Sequence, residues 1–162
     1  MNLFLLRHGL AEERRADRPD ALRPLTAEGV ERTRAVVERL VALDLRADRL
    51  LTSPLVRARQ TAALAVEAGL APSLEEAAAL EPGGSGLAGL RGQLAGLPAE
   101  ARLVLVGHEP DLGDLAAHLI GAAPGTLLLK KAGLAWLQSS SASLEGPWRL
   151  RLLIGPRQLL GT

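Results

Sequence analysis

Asn2-Leu3-Phe4-Leu5-Leu6 runs directly into Arg7-His8-Gly9. The run is short and apolar without alternation, the pattern of a strand buried on both faces, and such strands belong to parallel sheets covered by helices. Two further stretches repeat the arrangement: Arg49–Thr52 before Ser53-Pro54, and Ala101–Val106, the clearest of the three, before Gly107-His108. Helical spacing fills the intervals. Thr26 can N-cap a helix whose apolar positions are Val30, Val37, Leu40 and Val41. Ser53 as N-cap with Pro54 at the first helical position opens a second helix, stopped near Gly69. Leu87, Leu90, Leu94 and Leu97 mark a third, weakened by its glycines, and Pro110 opens a fourth with Leu112, Leu115, Ala116 and Leu119 on its apolar face. Residues 10–25 read as a polar surface loop, and residues 70–86 show no period. Leu134–Ser139 and Trp148–Ile154 read as two strands joined by a turn through Gly146-Pro147. Strands alternating with helices predict one α/β domain over residues 1–162, a three-layer α/β/α arrangement with a mostly parallel central sheet.

Composition limits the function classes. The chain has 162 residues, enough to bury roughly 70% of its unfolded surface as one domain. Lys+Arg 19 against Asp+Glu 18 leaves a net charge of +1, so no general field draws the protein to nucleic acid or an anionic membrane. Any anion must be caught by a local cluster. The absence of cysteine excludes disulfides, thiolate metal sites and a cysteine nucleophile. The amino-terminal apolar run is too short for a secretory leader and no stretch reaches the ~20 apolar residues of a membrane span, which predicts a soluble, cytoplasmic protein.

Chemistry concentrates after the strands. Arg7-His8-Gly9, Ser53-Pro54-Leu55-Val56-Arg57 and Gly107-His108-Glu109-Pro110 each follow a strand, and in open α/β sheets ligands bind outside the carboxyl ends of strands. Two arginines, two histidines and several backbone amides would converge on one rim, a site for a compact dianion such as phosphate. Arg57 in a first helical turn opposes the helix dipole, a cost that a bound anion would offset. Taken singly, each segment also reads as ordinary surface pairing or a locally bonded histidine.

Leu6-Arg7-His8-Gly9, Ser53-Pro54-x-x-Arg57-Ala58-x-Gln60-Thr61 and Gly107-His108 resemble, in order and over nearly the whole chain, the signature set of the histidine phosphatase, or phosphoglycerate-mutase-like, superfamily. Arg23-Pro24-Leu25-Thr26-x-x-Gly29, the short length and His108-x-Pro110 are similar to its SixA type, small bacterial phosphohistidine phosphatases acting on phosphorelay proteins. The resemblance implies a phosphoglycerate-mutase-like fold with His8 as nucleophile, forming a phosphohistidine that water hydrolyses. It implies that Arg7 and Arg57 clamp the phosphoryl oxygens, that His108 adds a hydrogen bond, most usefully as a cation, and that Gly9 and Arg23 border the phosphate. No metal and no cofactor enter this scheme. Many larger members use a carboxylic acid to protonate an alkoxide leaving group; here Glu81 falls in that segment, and it is equally a solvated loop glutamate.

The implied partner is a phosphohistidine-bearing protein. Length, together with this family resemblance, predicts a compact monomer. The alternatives are a phosphatase of a small monoester or phosphoramidate, for which Glu81 decides, and a non-catalytic phosphate-binding domain. Gly84-Ser85-Gly86-Leu87-Ala88-Gly89 spells a dinucleotide fingerprint but lacks the preceding strand, and His108-Glu109 lacks the second histidine of a zinc-peptidase helix, since position 112 is Leu112. His118 reads as a surface residue or a piece of local structure. The mixed-charge run of Glu12, Glu13, Arg14, Arg15 and Arg18 reads as a solvated loop that is also placed to meet a partner protein.

Overall fold

In the computed structural model, which describes residues 1–141 and 146–161, β1 (Asn2–Arg7) lies inside a six-stranded sheet. β2 (Arg49–Thr52), β3 (Leu74–Glu76) and β4 (Arg102–Gly107) pair in parallel in the order β3-β2-β4-β1. β5 (Leu134–Ser139) runs antiparallel to β1 and β6 (Trp148–Ile154) antiparallel to β5, completing the sheet.

The unbroken apolar character of β1 has the expected cause. Phe4 and Leu6 pack on one face with Val36, Val37 and Leu40 of α1 (Ala27–Ala42) and Ala58, Ala62 and Ala65 of α2 (Val56–Glu67). Leu3 and Leu5 pack on the other with Leu90 and Leu94 of α3 (Gly86–Leu94) and Leu112, Ala116 and Leu119 of α4 (Asp111–Leu119). The fold is thus the three-layer α/β/α sandwich. Each fully buried leucine contributes about 1.5–3 kcal/mol through removal from water, so the central strands are anchored from both sides. The Met1 ammonium donates to the Ser139 carbonyl at 2.6 Å, tying the start of the chain to the end of β5.

Several local expectations need correction. Thr26 does cap α1, accepting from the Gly29 amide at 2.9 Å. Ser53 does not cap α2. That helix starts at Val56 with Leu55 as its N-cap, and Ser53 Oγ instead accepts from the Leu55 amide at 3.3 Å in a tight turn. Gly69, at φ 82°, ends α2 in the left-handed conformation that glycine adopts at little cost. The 10–25 segment is more ordered than a bare loop: it holds a 3₁₀ turn at Asp20–Leu22 and a bridge between buried Ala11 and Leu25. β3 and α5 (Pro156–Leu160) were not foreseen, being too short to show a period. Two of the three residues in β3 are exposed glutamates, as an edge strand permits.

Candidate active site

Strand register brings the three segments to one rim. Arg7 stands opposite Gly107 in the parallel pair of β1 and β4, and Thr52 stands opposite Val106. His8, Ser53 and His108 therefore leave adjacent strands at the same level. The Ser53 amide donates to the Val106 carbonyl at 2.9 Å and the His8 amide to the Gly107 carbonyl at 3.1 Å, so the backbone of all three is held by its neighbours.

His8 is 6% exposed. Its Nδ1 lies 2.8 Å from the Gly9 carbonyl oxygen, and a carbonyl only accepts, so Nδ1 carries the proton. Nε2 is left with its lone pair. Burial pushes the His8 pKa down to about 3, against the bond to the Gly9 carbonyl and with help from the charges of His108, Arg57 and Arg7. The ring is neutral across the physiological range.

His108, 3% exposed, lies with its ring centroid 5.1 Å from that of His8 and inclined at 54°. Its Nε2 is 2.8 Å from Ser53 Oγ, while Nδ1 is buried and has no hydrogen-bond partner. Because Ser53 Oγ already accepts from the Leu55 amide, its hydroxyl proton is available to His108 Nε2. When the Ser53 hydroxyl donates to Nε2, His108 carries its own proton on Nδ1. Burial, then the Arg57 charge, hold the His108 pKa down at about 4, with Asp20 opposing. These surroundings favour the neutral ring over the expected cation, and in the Nδ1–H tautomer a neutral His108 still has a donor to offer.

Arg57 is 3% exposed, and its terminal nitrogens are taken by one residue: Nη1 donates to the Asp20 carbonyl at 2.9 Å and Nη2 to the Asp20 carboxylate at 3.0 Å. The carboxylate that offsets a cation in this first helical turn is Asp20. Arg23 also reaches Asp20, at 3.1 Å, and donates to the Glu12 carbonyl at 2.9 Å. Arg7 Nη1 donates to the Leu129 carbonyl at 2.8 Å, and the Leu129 amide donates to Glu109 Oε1 at 3.1 Å, so Glu109 steadies the segment that holds Arg7. Burial raises the Glu109 pKa, countered by its bond to the Leu129 amide and by the Arg7 charge.

Two expected members take different positions. The Gly9 amide donates to Thr61 Oγ1 at 3.0 Å and so is not offered to an anion; Thr61 in turn donates to the Arg57 carbonyl at 2.8 Å. Gly9 contributes through its carbonyl and its lack of a side chain, for a Cβ there would meet Thr33 Oγ1 at 2.1 Å. Glu81 follows the short 3₁₀ turn at Ala78–Leu80, is exposed, and its carboxylate makes no hydrogen bond or ion pair among the described residues. His118 is exposed, as expected. Asp20, Ser53, Thr61 and Glu109 were the missed supports; Asp20 lay hidden in a charge run, and Ser53 gave the signal of a helix cap.

Arg7 Nε, Arg23 Nε, Arg57 Nε and His108 Nδ1 are all buried without a hydrogen-bond partner among the described residues. A buried donor left so costs about 1–3 kcal/mol, and four of them on the residues of one site suit an oxyanion.

Residues 3–81 match the histidine phosphatase superfamily (branch 1). An uncharacterized protein of Picosynechococcus sp. is 42% identical, with 99% of each chain aligned, and phosphohistidine phosphatase SixA of Escherichia coli is 32% identical over 74% of each. A solved structure of the protein histidine phosphatase SixA complexed with tungstate superposes with a TM-score of 0.81, at 29% identity, covering 98% of this chain and 99% of that one. The chain belongs to the histidine phosphatase superfamily.

Proposed function

We propose that the protein is a metal-independent phosphatase that passes through a phosphohistidine on His8 and hydrolyses phosphohistidine in another protein. The observation that carries the reading is the state of His8: neutral, with Nδ1–H committed to the Gly9 carbonyl and Nε2 free. His8 Nε2 attacks phosphorus, forming a new N–P bond as the substrate's N–P bond breaks, and the departing imidazole keeps or takes up one proton. Water then attacks the phosphorus on His8, giving orthophosphate and restoring Nε2. Arg7, Arg57 and His108 Nδ1–H stabilise the charge on the transferring oxygens, so positive charge comes from side chains and the scheme calls for no metal. Arg23 supports Arg57 through their common partner Asp20.

Tungstate, a tetrahedral oxyanion bound by the related SixA structure, is a ligand of the expected shape. Glu81 bears on the substrate class. An imidazole leaves readily without a general acid, whereas an alkoxide needs one, and among the described residues no group of the site holds the exposed Glu81. The reading takes residues 1–162 as one catalytic domain, supported by a sheet that draws β1 between β4 and β5. It takes the protein as a cytoplasmic monomer. Among the described residues no helix is long and apolar enough to cross a membrane, and the exposed large apolar side chains, Leu22, Leu43, Leu128 and Leu153, are few.

The test is kcat/KM, with chelator present, on a phosphohistidine-bearing protein and on a simple aryl phosphate, with His8→Ala beside both. The expected result is a large preference for phosphohistidine, abolished by His8→Ala. A preference for the ester overturns the substrate class, and retained activity in His8→Ala overturns the mechanism.

A further inference from the structure

The arginines that stand out in the sequence are ion-paired within their own segment, Arg14 and Arg23 sharing Asp20 with Arg57. Arg14 pairs with Asp20, Arg15 with Asp17, Arg18 with Glu12, and Arg23 with Asp20. A second cluster of positive charge, with no ion pair among the described residues, lies elsewhere. A cavity of about 520 Å³ is bordered by Arg7, Arg32, Lys130, Lys131 and Arg157, with no carboxylate among the described residues of its wall. Arg32, Lys130, Lys131 and Arg157 are exposed and form no ion pair among the described residues. Both lysines of the chain are here. Thr33, also in the wall, is fully buried with an unpartnered hydroxyl, and the Arg7 Nε is likewise unpartnered.

The cavity's place in the fold matters. Arg7 ends β1, its amide donates to the Gly133 carbonyl at 3.1 Å, and the Lys130–Ala132 segment leads into β5. Leu134 pairs with Ile154, so Gly155 and Arg157 after β6 reach the same edge of the sheet. The cavity thus flanks the His8 site on the β5 and β6 side, opposite Arg57 and Asp20, and Arg7 borders both. In a chain of net charge +1, four exposed cations with no ion pair among the described residues repel one another and focus a local positive field that an anion would relieve.

We propose that this cavity binds a second anionic group of the substrate, beside the phosphoryl group that His8 receives. The inference rests on the phosphatase reading of His8. It adds that Lys130, Lys131 and Arg157 select substrates carrying a further carboxylate or phosphate next to the reacting one. The two sources, acidic side chains of a phosphoprotein or a second phosphate on a small molecule, share this chemistry.

The test uses the Lys130→Ala/Lys131→Ala/Arg157→Ala triple variant. Its aryl phosphate kcat/KM and its inhibition by orthophosphate, both single-anion readouts, stay at wild-type values. Inorganic tripolyphosphate, which carries extra anionic groups, inhibits wild type more tightly than orthophosphate, and the variant loses that advantage by about tenfold at low salt. Substrate arms then separate the sources. A fall in kcat/KM for the phosphohistidine protein alone assigns the anion to acidic side chains, and a fall for a small bisphosphate ester alone assigns it to a second phosphate. An unchanged tripolyphosphate advantage, or a loss in neither substrate, overturns the proposal. Equal loss on aryl phosphate overturns it too, because the cations would then serve the reacting group. Failure of wild type on the phosphohistidine protein overturns the earlier substrate reading, and the tripolyphosphate arm still decides this one.

Discussion

His108 Nε2 lies 2.8 Å from Ser53 Oγ, and this bond joins the turn after β2 to the turn after β4. Ser53 accepts from the Leu55 amide, and when its hydroxyl donates to His108 Nε2 the ring keeps Nδ1–H as a donor toward an oxyanion. Ser53→Ala therefore removes the group that sets the tautomer while leaving the ring in place. The expected loss in kcat/KM is about tenfold, the cost of one oriented hydrogen bond, about 1.4 kcal/mol. Nitrogen chemical shifts of His108 check the cause, since the variant should populate both tautomers.

Acid should unfold the protein earlier than its carboxylates alone would dictate. His8 and His108 have folded pKa values of about 3 and about 4, below the ordinary 6.5 of the unfolded chain. Between pH 6.5 and those values the unfolded state binds more protons, so stability is fully present above 6.5 and falls with pH. Each histidine removes up to about 1.4 kcal/mol per pH unit across its window. Urea titrations from pH 7.5 to 4.5 on wild type and on His118→Gln, an exposed control, read this directly; a flat profile in wild type contradicts it. The same values place the acid limb of kcat/KM well below 6.5, since that ratio reports the free enzyme.

Asp20 holds both terminal nitrogens of a buried arginine. Asp20→Ala keeps only the backbone carbonyl and leaves the guanidinium less satisfied. Denaturant titration should show a loss of about 1–3 kcal/mol, together with a rise in KM as Arg57 loses its orientation. Unchanged stability would mean that water replaces the carboxylate without cost.

Gly9→Ala should destabilise by about 1–3 kcal/mol through overpacking, because its new Cβ meets Thr33 Oγ1 at 2.1 Å. Adding Thr33→Ala should recover part of the loss. Gly29→Ala offers a contrast, for its Cβ meets the Leu10 carbonyl oxygen at 2.0 Å and no side-chain change relieves a backbone clash. Melting temperatures of the three variants give the comparison.

The parts of this molecule legible in the sequence were those governed by local rules. β2, β5 and β6 fall at their expected residues because apolar runs end at clear breakers, and Thr26 caps α1 because its side chain needs only the Gly29 amide nearby. The convergence of Arg7, His8, Arg57 and His108 was legible from their places after strands. Their supports were not, because each acts across the fold. Asp20 meets Arg57 across 37 positions and Ser53 meets His108 across 55. The basic cavity was equally hidden, assembled from the end of β1, helix α1, the approach to β5 and the start of α5.

The most direct test of the central claim is a rapid-quench experiment with a protein carrying radiolabelled phosphohistidine. Wild type should acquire label that is stable in alkali and labile in acid before orthophosphate appears. His8→Ala should acquire none and turn over at least about a thousandfold more slowly. Release of orthophosphate from His8→Ala at the wild-type rate, without labelled enzyme, would contradict the assignment of His8 as the nucleophile.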